Sequence, residues 1–206
     1  MNDNNILGVV LAGGKSKRFG KDKNQEMLGT LTLLDHVLFK IINEFKEVLV
    51  VSNQDLKLDN FGEVNLIQDC IEDRGPLAGV LSAMKWIKEK KKQYKWIATF
   101  PCDTPFFDKL IINKYREKID QNESLLYFVK SNKKRHNIFG LWSIDLIEIL
   151  ENDLIKNNLR KVEDWANKIG VKTINVKNDK FDSFLNINTK EDLEDAKKIL
   201  KKFGND

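Results

Sequence analysis

"ILGVVLAGGKSKRFGKDK", residues 6–23, sets an apolar run directly against a turn of glycine and positive charge. Residues 6–12 carry no polar interruption, the pattern of a strand covered on both faces. Between Gly13 and Lys23 follow two adjacent glycines, a third at Gly20, four lysines, one arginine and a single acid, Asp22. Like charges crowded on flexible backbone repel one another, so the segment implies a negative occupant. Bare glycine amides form anion-binding nests, and Lys15, Lys17, Arg18, Lys21 and Lys23 add charge-assisted donors. Two familiar phosphate motifs fail here. A P-loop ending in "GGKS" needs glycine at position 9, which is valine, and Gly8 is one residue out of register. The G-x-G-x-x-G fingerprint fails because Gly13 and Gly14 are adjacent. A solvated loop with incidental lysines is the plain alternative, but a position directly after a buried strand favours ligand binding.

Outward from this stretch, apolar runs predict further strands at residues 47–52, 64–68, 96–101, 124–130 and 137–142. Helical periodicity starts at Leu77 and continues through Val80, Leu81, Met84 and Ile87. Leu193, Ala196, Leu200 and Phe203 repeat it near the end, with Thr189 at the N-cap and Asp192 three residues on. Residues 31–45, 107–119, 144–157 and 160–169 read as further helices. Alternating strands and helices predict an α/β fold of three layers, α/β/α, around a mostly parallel sheet. No repeat, linker or low-complexity stretch interrupts the chain, so one domain over residues 1–206 is expected.

The bulk properties set outer limits. A chain of 206 residues with 41% hydrophobic and 32% charged content buries a sizeable core. Net charge of +4 agrees with an anionic small molecule and does not demand nucleic acid. No apolar run approaches the roughly 20 residues that span a bilayer. "MNDNN" is unlike a secretory signal or transit peptide, and two cysteines make no disulfide framework. A cytoplasmic protein without membrane or nucleic-acid partners is the expectation.

In parallel sheets ligands sit beyond the carboxyl ends of the strands, and unusual segments follow predicted strands at residues 13–23, 53–55 and 101–105. In "FPCDTP", Asp103 stands between two prolines that stiffen its backbone. It suits a Mg²⁺ ligand, since that ion takes one or two carboxylates plus phosphate oxygens; a turn or N-cap aspartate before a helix at 107 is the alternative. Cys102 has no histidine beside it and reads as a small buried residue. "DRGPLAG", residues 73–79, puts Pro76 at a helix start whose amides can read an anion or base. Asn53 and Asp69 either cap loops or face a ligand. Asn186 and Asn188 in "FLNINTKEDL" are two apart and point the same way if extended. They too read equally as turn and cap residues. "KSNKKRH" is either a solvated hairpin tip or a basic landing place for an anion, and the lysines of residues 88–92 suit a helix C-terminus.

"LAGGKSKRFGKDK", "FPCDTP", "GPLAG" and "FLNINT" together resemble the molybdenum cofactor guanylyltransferases, in the expected order along essentially the whole chain. The resemblance implies a Rossmann-like fold of the nucleotide-diphospho-sugar transferase type. It implies transfer of GMP from GTP to the terminal phosphate of molybdopterin, with release of pyrophosphate. Leu11, Ala12, Gly13, Gly14, Lys23, Asn53, Asp69 and Asp103 then bind nucleotide; Arg18, Lys23 and Asp103 carry catalysis; Asp103 holds Mg²⁺; Asn186 and Asn188 face the pterin. Transient contact with molybdenum-insertion or molybdoenzyme-maturation proteins is also implied. One departure stands out: the family's His-Pro is His136-Asn137 here, leaving His136 to orient a phosphate or sugar hydroxyl or to serve structurally. Alternatives are a nucleotidyltransferase using CTP or another phosphorylated acceptor, and a non-catalytic nucleotide-binding module.

Overall fold

The computed structural model describes residues 5–13, 25–56, 58, 61–62, 64–71, 74–177 and 181–203. Its strands are β1 (Ile6–Leu11), β2 (Met27–Leu28), β3 (Leu31–Thr32), β4 (Val48–Val51), β5 (Val64–Ile67), β6 (Trp96–Pro101), β7 (Leu126–Ser131), β8 (Lys134–Ser143) and β9 (Lys172–Asn175). Its helices are α1 (Leu33–Ile41), α2 (Pro76–Glu89), α3 (Leu110–Gln121), α4 (Ile147–Ile155), α5 (Val162–Ile169) and α6 (Lys190–Phe203).

β1 is buried along its whole length and sorts its side chains by parity. Ile6 and Val10 enter a hydrophobic cluster shared with α1 and α3, through Leu34, Val37, Leu38, Ile111 and Tyr115. Leu7, Val9 and Leu11 enter a second cluster with α2, α4 and α5, through Leu77, Leu81, Leu150 and Trp165. A sheet strand presents alternate residues to opposite faces, so helices on both faces give the three expected layers. Gly8 has a packing reason: a Cβ there would lie 2.7 Å from the ring of Phe45.

One seven-stranded sheet runs in the order β5-β4-β1-β6-β8-β7-β9. Every neighbouring pair is parallel except the two that involve β8, which is therefore the one reversed strand. Thr99 of β6 fastens it. The threonine hydroxyl donates to the Ile138 carbonyl (2.6 Å) and accepts from the Trp142 indole N–H (2.8 Å).

Several boundaries shift from expectation. The helix expected from residue 107 begins at Leu110, where the Asp108 carboxylate accepts the Leu110 N–H. A 3-10 turn, Ile144–Leu146, precedes α4. The β2–β3 ribbon and β9 were not anticipated; each is short, and β9 buries only Ile174. Both capping positions near the end hold: Asp192 N–H donates to Thr189 Oγ1 (3.1 Å) and Asp192 Oδ2 accepts from the Thr189 N–H (2.8 Å). Among the described residues no helix is long and apolar enough to cross a membrane.

Candidate active site

The four parallel strands β5, β4, β1 and β6 stop in register: Val51 pairs with Ile67, and Leu11 with both Val51 and Pro101. Two residues beyond each end stand Asp69, Asn53, Gly13 and Asp103 respectively. Pairing extends just past the ends, since Ala12 N–H donates to the Val51 carbonyl (2.9 Å) and Ser52 N–H to that of Ile67 (2.9 Å). Cys102 N–H likewise donates to the Leu11 carbonyl (3.2 Å). Strand alternation carries residues at this common offset toward the face occupied by α2.

There they meet. Asn53 Nδ2 donates to Asp69 Oδ2 (3.2 Å), and the Asp69 N–H donates back to Asn53 Oδ1 (2.9 Å). A Cβ added to Gly13 would lie 3.5 Å from Asp69 Oδ2, and one on Gly79 of α2 would lie 3.4 Å from Asp69 Oδ1 and 2.9 Å from Leu11. The sequence did not single out Gly79 as a wall of the site, though its place in "GPLAG" carried the signal. Ser82 adds a further pin by accepting the Cys70 N–H (2.8 Å) while donating to the Ala78 carbonyl (2.8 Å). Burial pushes the Asp69 carboxyl above the ordinary aspartate range, against the weaker pull of its Asn53 hydrogen bond. Pro76 is the first residue of α2, as its helix-start role requires.

Asp103 sits in the turn after β6 and does not cap α3, whose N-cap position is Lys109 and whose first N–H is accepted by Asp108. Its backbone carbonyl accepts the Ile187 N–H (2.9 Å), which ties the segment bearing both asparagines to the turn after β6. Ile187 is buried with Leu28, Leu33, Leu193 and Ala196, while Asn186 and Asn188 on either side of it are exposed. Thr104, fully buried, reaches both Asp103 Oδ1 (3.2 Å) and Asn186 Oδ1. Cys102 is buried in the core, as expected of a packing residue. Gly14, Arg18 and Lys23, with the rest of the basic loop, lie outside the described residues.

His136 of β8 is engaged on both sides. Its Nε2 shares a hydrogen bond with Ser131 Oγ (2.7 Å), and its ring stacks on Phe184 with centroids 4.1 Å apart. Burial first, then the charge of Lys134, lower its pKa to about 4 against the attraction of Asp182. The "KSNKKRH" stretch forms the β7–β8 hairpin, turning at Asn132 and Lys133, both at positive φ.

A doubly covered parallel sheet whose strand ends present glycine, amide and carboxylate in one row has its ligand crevice there, and the relatives of the chain make it an enzyme of the nucleotidyltransferase class. The chain belongs to the family described as the MobA-like NTP transferase domain, which it matches over residues 8–169. It is 32% identical over 201 residues to a molybdenum cofactor guanylyltransferase of Rhizobium leguminosarum bv. trifolii, covering 95% of this chain and 93% of that one. The crystal structure of molybdopterin-guanine dinucleotide biosynthesis protein A from Archaeoglobus fulgidus superposes with a TM-score of 0.77 at 24% identity, covering 96% of this chain and all of that one. The same fold recurs, at 13% identity and a TM-score of 0.74 over 97% of each chain, in 4-diphosphocytidyl-2C-methyl-D-erythritol synthase from Anaerococcus prevotii.

Proposed function

We propose that residues 1–206 act as one nucleotidyltransferase domain that transfers GMP from GTP to the terminal phosphate of molybdopterin. A phosphate oxygen of the acceptor bonds to the α-phosphorus of GTP, the α–β bridging bond breaks, and pyrophosphate leaves with that electron pair. The row of Gly13, Asn53, Asp69 and Asp103 across four aligned strand ends carries this reading. Asp69, oriented by Asn53, is an acceptor for the paired N–H donors of guanine; Gly13 leaves room beside it, and Gly79 lets α2 pack closely against Asp69 and Leu11. The names of the relatives support both guanylyl transfer and the pterin acceptor.

The acceptor oxygen is anionic near neutral pH, so no strong general base is required. What remains is to bring two anions together, which rests on positioning and neutralisation. Gly13 and Gly14 offer backbone amides to the phosphates, and Arg18 and Lys23 neutralise charge on the α-phosphate and the departing pyrophosphate. Asp103 fits a Mg²⁺ ligand: it is an accessible carboxylate beside the nucleotide row, and among the described residues no protein cage of three ligands exists. Mg²⁺ bound with a triphosphate needs no such cage. When bound, the ion supplies charge neutralisation on the phosphate oxygens. Asn186 and Asn188 face the acceptor, on a segment tied to Asp103. A chain with only two cysteines agrees with work in a reducing cytoplasm, where the product passes to molybdoenzyme-maturation proteins.

Incubating the protein with GTP, Mg²⁺ and molybdopterin tests this directly: the guanine dinucleotide and pyrophosphate should appear together. Dinucleotide formation with CTP in place of GTP, or none with either, overturns the assignment. Thermal protection by GTP beyond that by CTP, each with Mg²⁺, reports the base choice separately.

A further inference from the structure

Ser131 Oγ and His136 Nε2 lie 2.7 Å apart, and one proton joins them. Ser131 is 3% exposed, and among the described residues its hydroxyl has no other partner. A buried hydroxyl places its proton on an acceptor, so Ser131 donates and Nε2 accepts. The reverse arrangement, Nε2–H to Oγ, leaves the hydroxyl proton stranded in the interior. The ring is neutral at physiological pH, because burial and then the charge of Lys134 lower its pKa to about 4 against the attraction of Asp182. A neutral ring that accepts at Nε2 carries its own hydrogen on Nδ1. Nδ1 makes no hydrogen bond among the described residues. Unlike the Tyr115 hydroxyl, which also lacks a partner, it is not sealed inside the protein.

The fold holds this donor in place on the acceptor side. The ring stacks on Phe184, two residues before Asn186, in the segment whose Ile187 N–H binds the Asp103 carbonyl. Both β6 and β7 run opposite to β8, so His136, paired with Val129 near the end of β7, sits at the same end of the sheet as Asp103. Residues 137–139 fall between the β8 partners of Phe128 and Val129, a bulge of the kind that re-aims neighbouring side chains. Arg135 Nε fastens it by donating to Asn137 Oδ1 (2.9 Å), where the family has proline. At the ring the charge of Lys134 outweighs that of Asp182, which suits an anionic partner.

Resting on the guanylyl-transfer reading, we infer that His136 is a fixed neutral donor whose Nδ1–H binds a phosphate oxygen of the acceptor, and that Ser131 is the positioning residue which sets this tautomer.

The imidazole ¹⁵N resonances of His136, told apart from those of His36 by their loss in His136→Gln, test this without turnover. The free protein should carry hydrogen on Nδ1 and none on Nε2, and Ser131→Thr should keep that pattern. Ser131→Ala should move hydrogen toward Nε2; where that variant folds poorly, the wild-type tautomer still decides. With Mg²⁺ and GTP filling the nucleotide site and no molybdopterin present, inorganic phosphate should shift the Nδ1 signal. In turnover, His136→Gln should raise the acceptor KM about tenfold while sparing the GTP KM. His136→Asn, whose amide nitrogen stands where Nδ1 stood, should restore most of it. Hydrogen on Nε2 in the free protein, an Nδ1 signal indifferent to phosphate, or equal acceptor KM in the Gln and Asn variants overturns the inference. A wild-type protein that makes no dinucleotide removes the molybdopterin reading instead, and the tautomer and the phosphate response still decide the role of His136.

Discussion

The two ends of the central sheet build their parts of the site by different rules. On the parallel side, β5, β4, β1 and β6 stop together, and one local pattern repeated four times sets Asp69, Asn53, Gly13 and Asp103 in a row. On the other side, reversed β8 interrupts the pattern, and the site is assembled from segments far apart in sequence. His136 stacks on Phe184, and Thr104 meets Asn186 across 82 positions. Repetition of a short rule suffices to align those four positions, whereas the contacts of His136 and Asn186 depend on long-range packing. Asp103 and Thr104, adjacent in the chain, are where the two constructions join.

The largest effect is expected at that joint. Asp103→Asn should reduce Mg²⁺-dependent turnover of GTP by roughly a thousandfold or more and abolish its metal saturation. An unchanged Mg²⁺ titration of pyrophosphate release would remove Asp103 as the ligand. Next comes the parallel side's basic loop. Lys23→Ala should lower kcat by about two to three orders of magnitude, the loss of one preorganised donor, with circular dichroism and melting unaltered. Full activity in that variant would take Lys23 out of the chemistry.

Asp69→Asn sharpens the comparison by setting stability against recognition. The amide loses the double acceptor for guanine, so the Kd for GTP should rise about ten- to a hundredfold, equivalent to about 1–3 kcal/mol. Because burial raises the Asp69 carboxyl above its unfolded value, its ionised form opposes folding at neutral pH. The stability it allows is complete below the unfolded pKa and is lost as pH rises through the folded one. The unliganded variant should therefore melt above wild type at pH 7, with the gap closing as pH falls and Asp69 takes its proton. A variant that melts lower and binds GTP undiminished would show that Asp69 caps a loop and reads no base.

The parallel side was legible from sequence because its determinants are local. An unbroken apolar run from Ile6, ended by Gly13, marks a buried strand and its exit, and the Asp103 turn is marked by its flanking prolines. Residues on the other side gave weaker signals. β9 buries one side chain in four and lacks a hydrophobic pattern to detect. The stacking of His136 on Phe184 follows from the register of β8 and the path of residues 181–188, which no local periodicity encodes. Thr104 was in plain view within "CDTP", but its second partner, Asn186, is supplied by tertiary structure.

The smallest effect, and the one specific to the reversed side, concerns His136. With its pKa lowered to about 4, the ring is neutral through the physiological range. The unfolded chain takes a proton near the ordinary value of 6.5 and the folded chain does not until about 4. The folded state thus binds fewer protons in this window. Its stability, fully present above 6.5, declines as pH falls toward 4 and levels off below. Between pH 7 and 5 this amounts to about 1 kcal/mol after allowance for the partial exposure of the ring. For a chain of this length that is about 2–4 °C in Tm. His136→Gln has no such proton to gain, so its Tm should fall less than that of wild type over the same interval. Equal slopes would mean that the imidazole titrates as it does in water, and the stack on Phe184 would then not be what holds the acceptor-side segment in place.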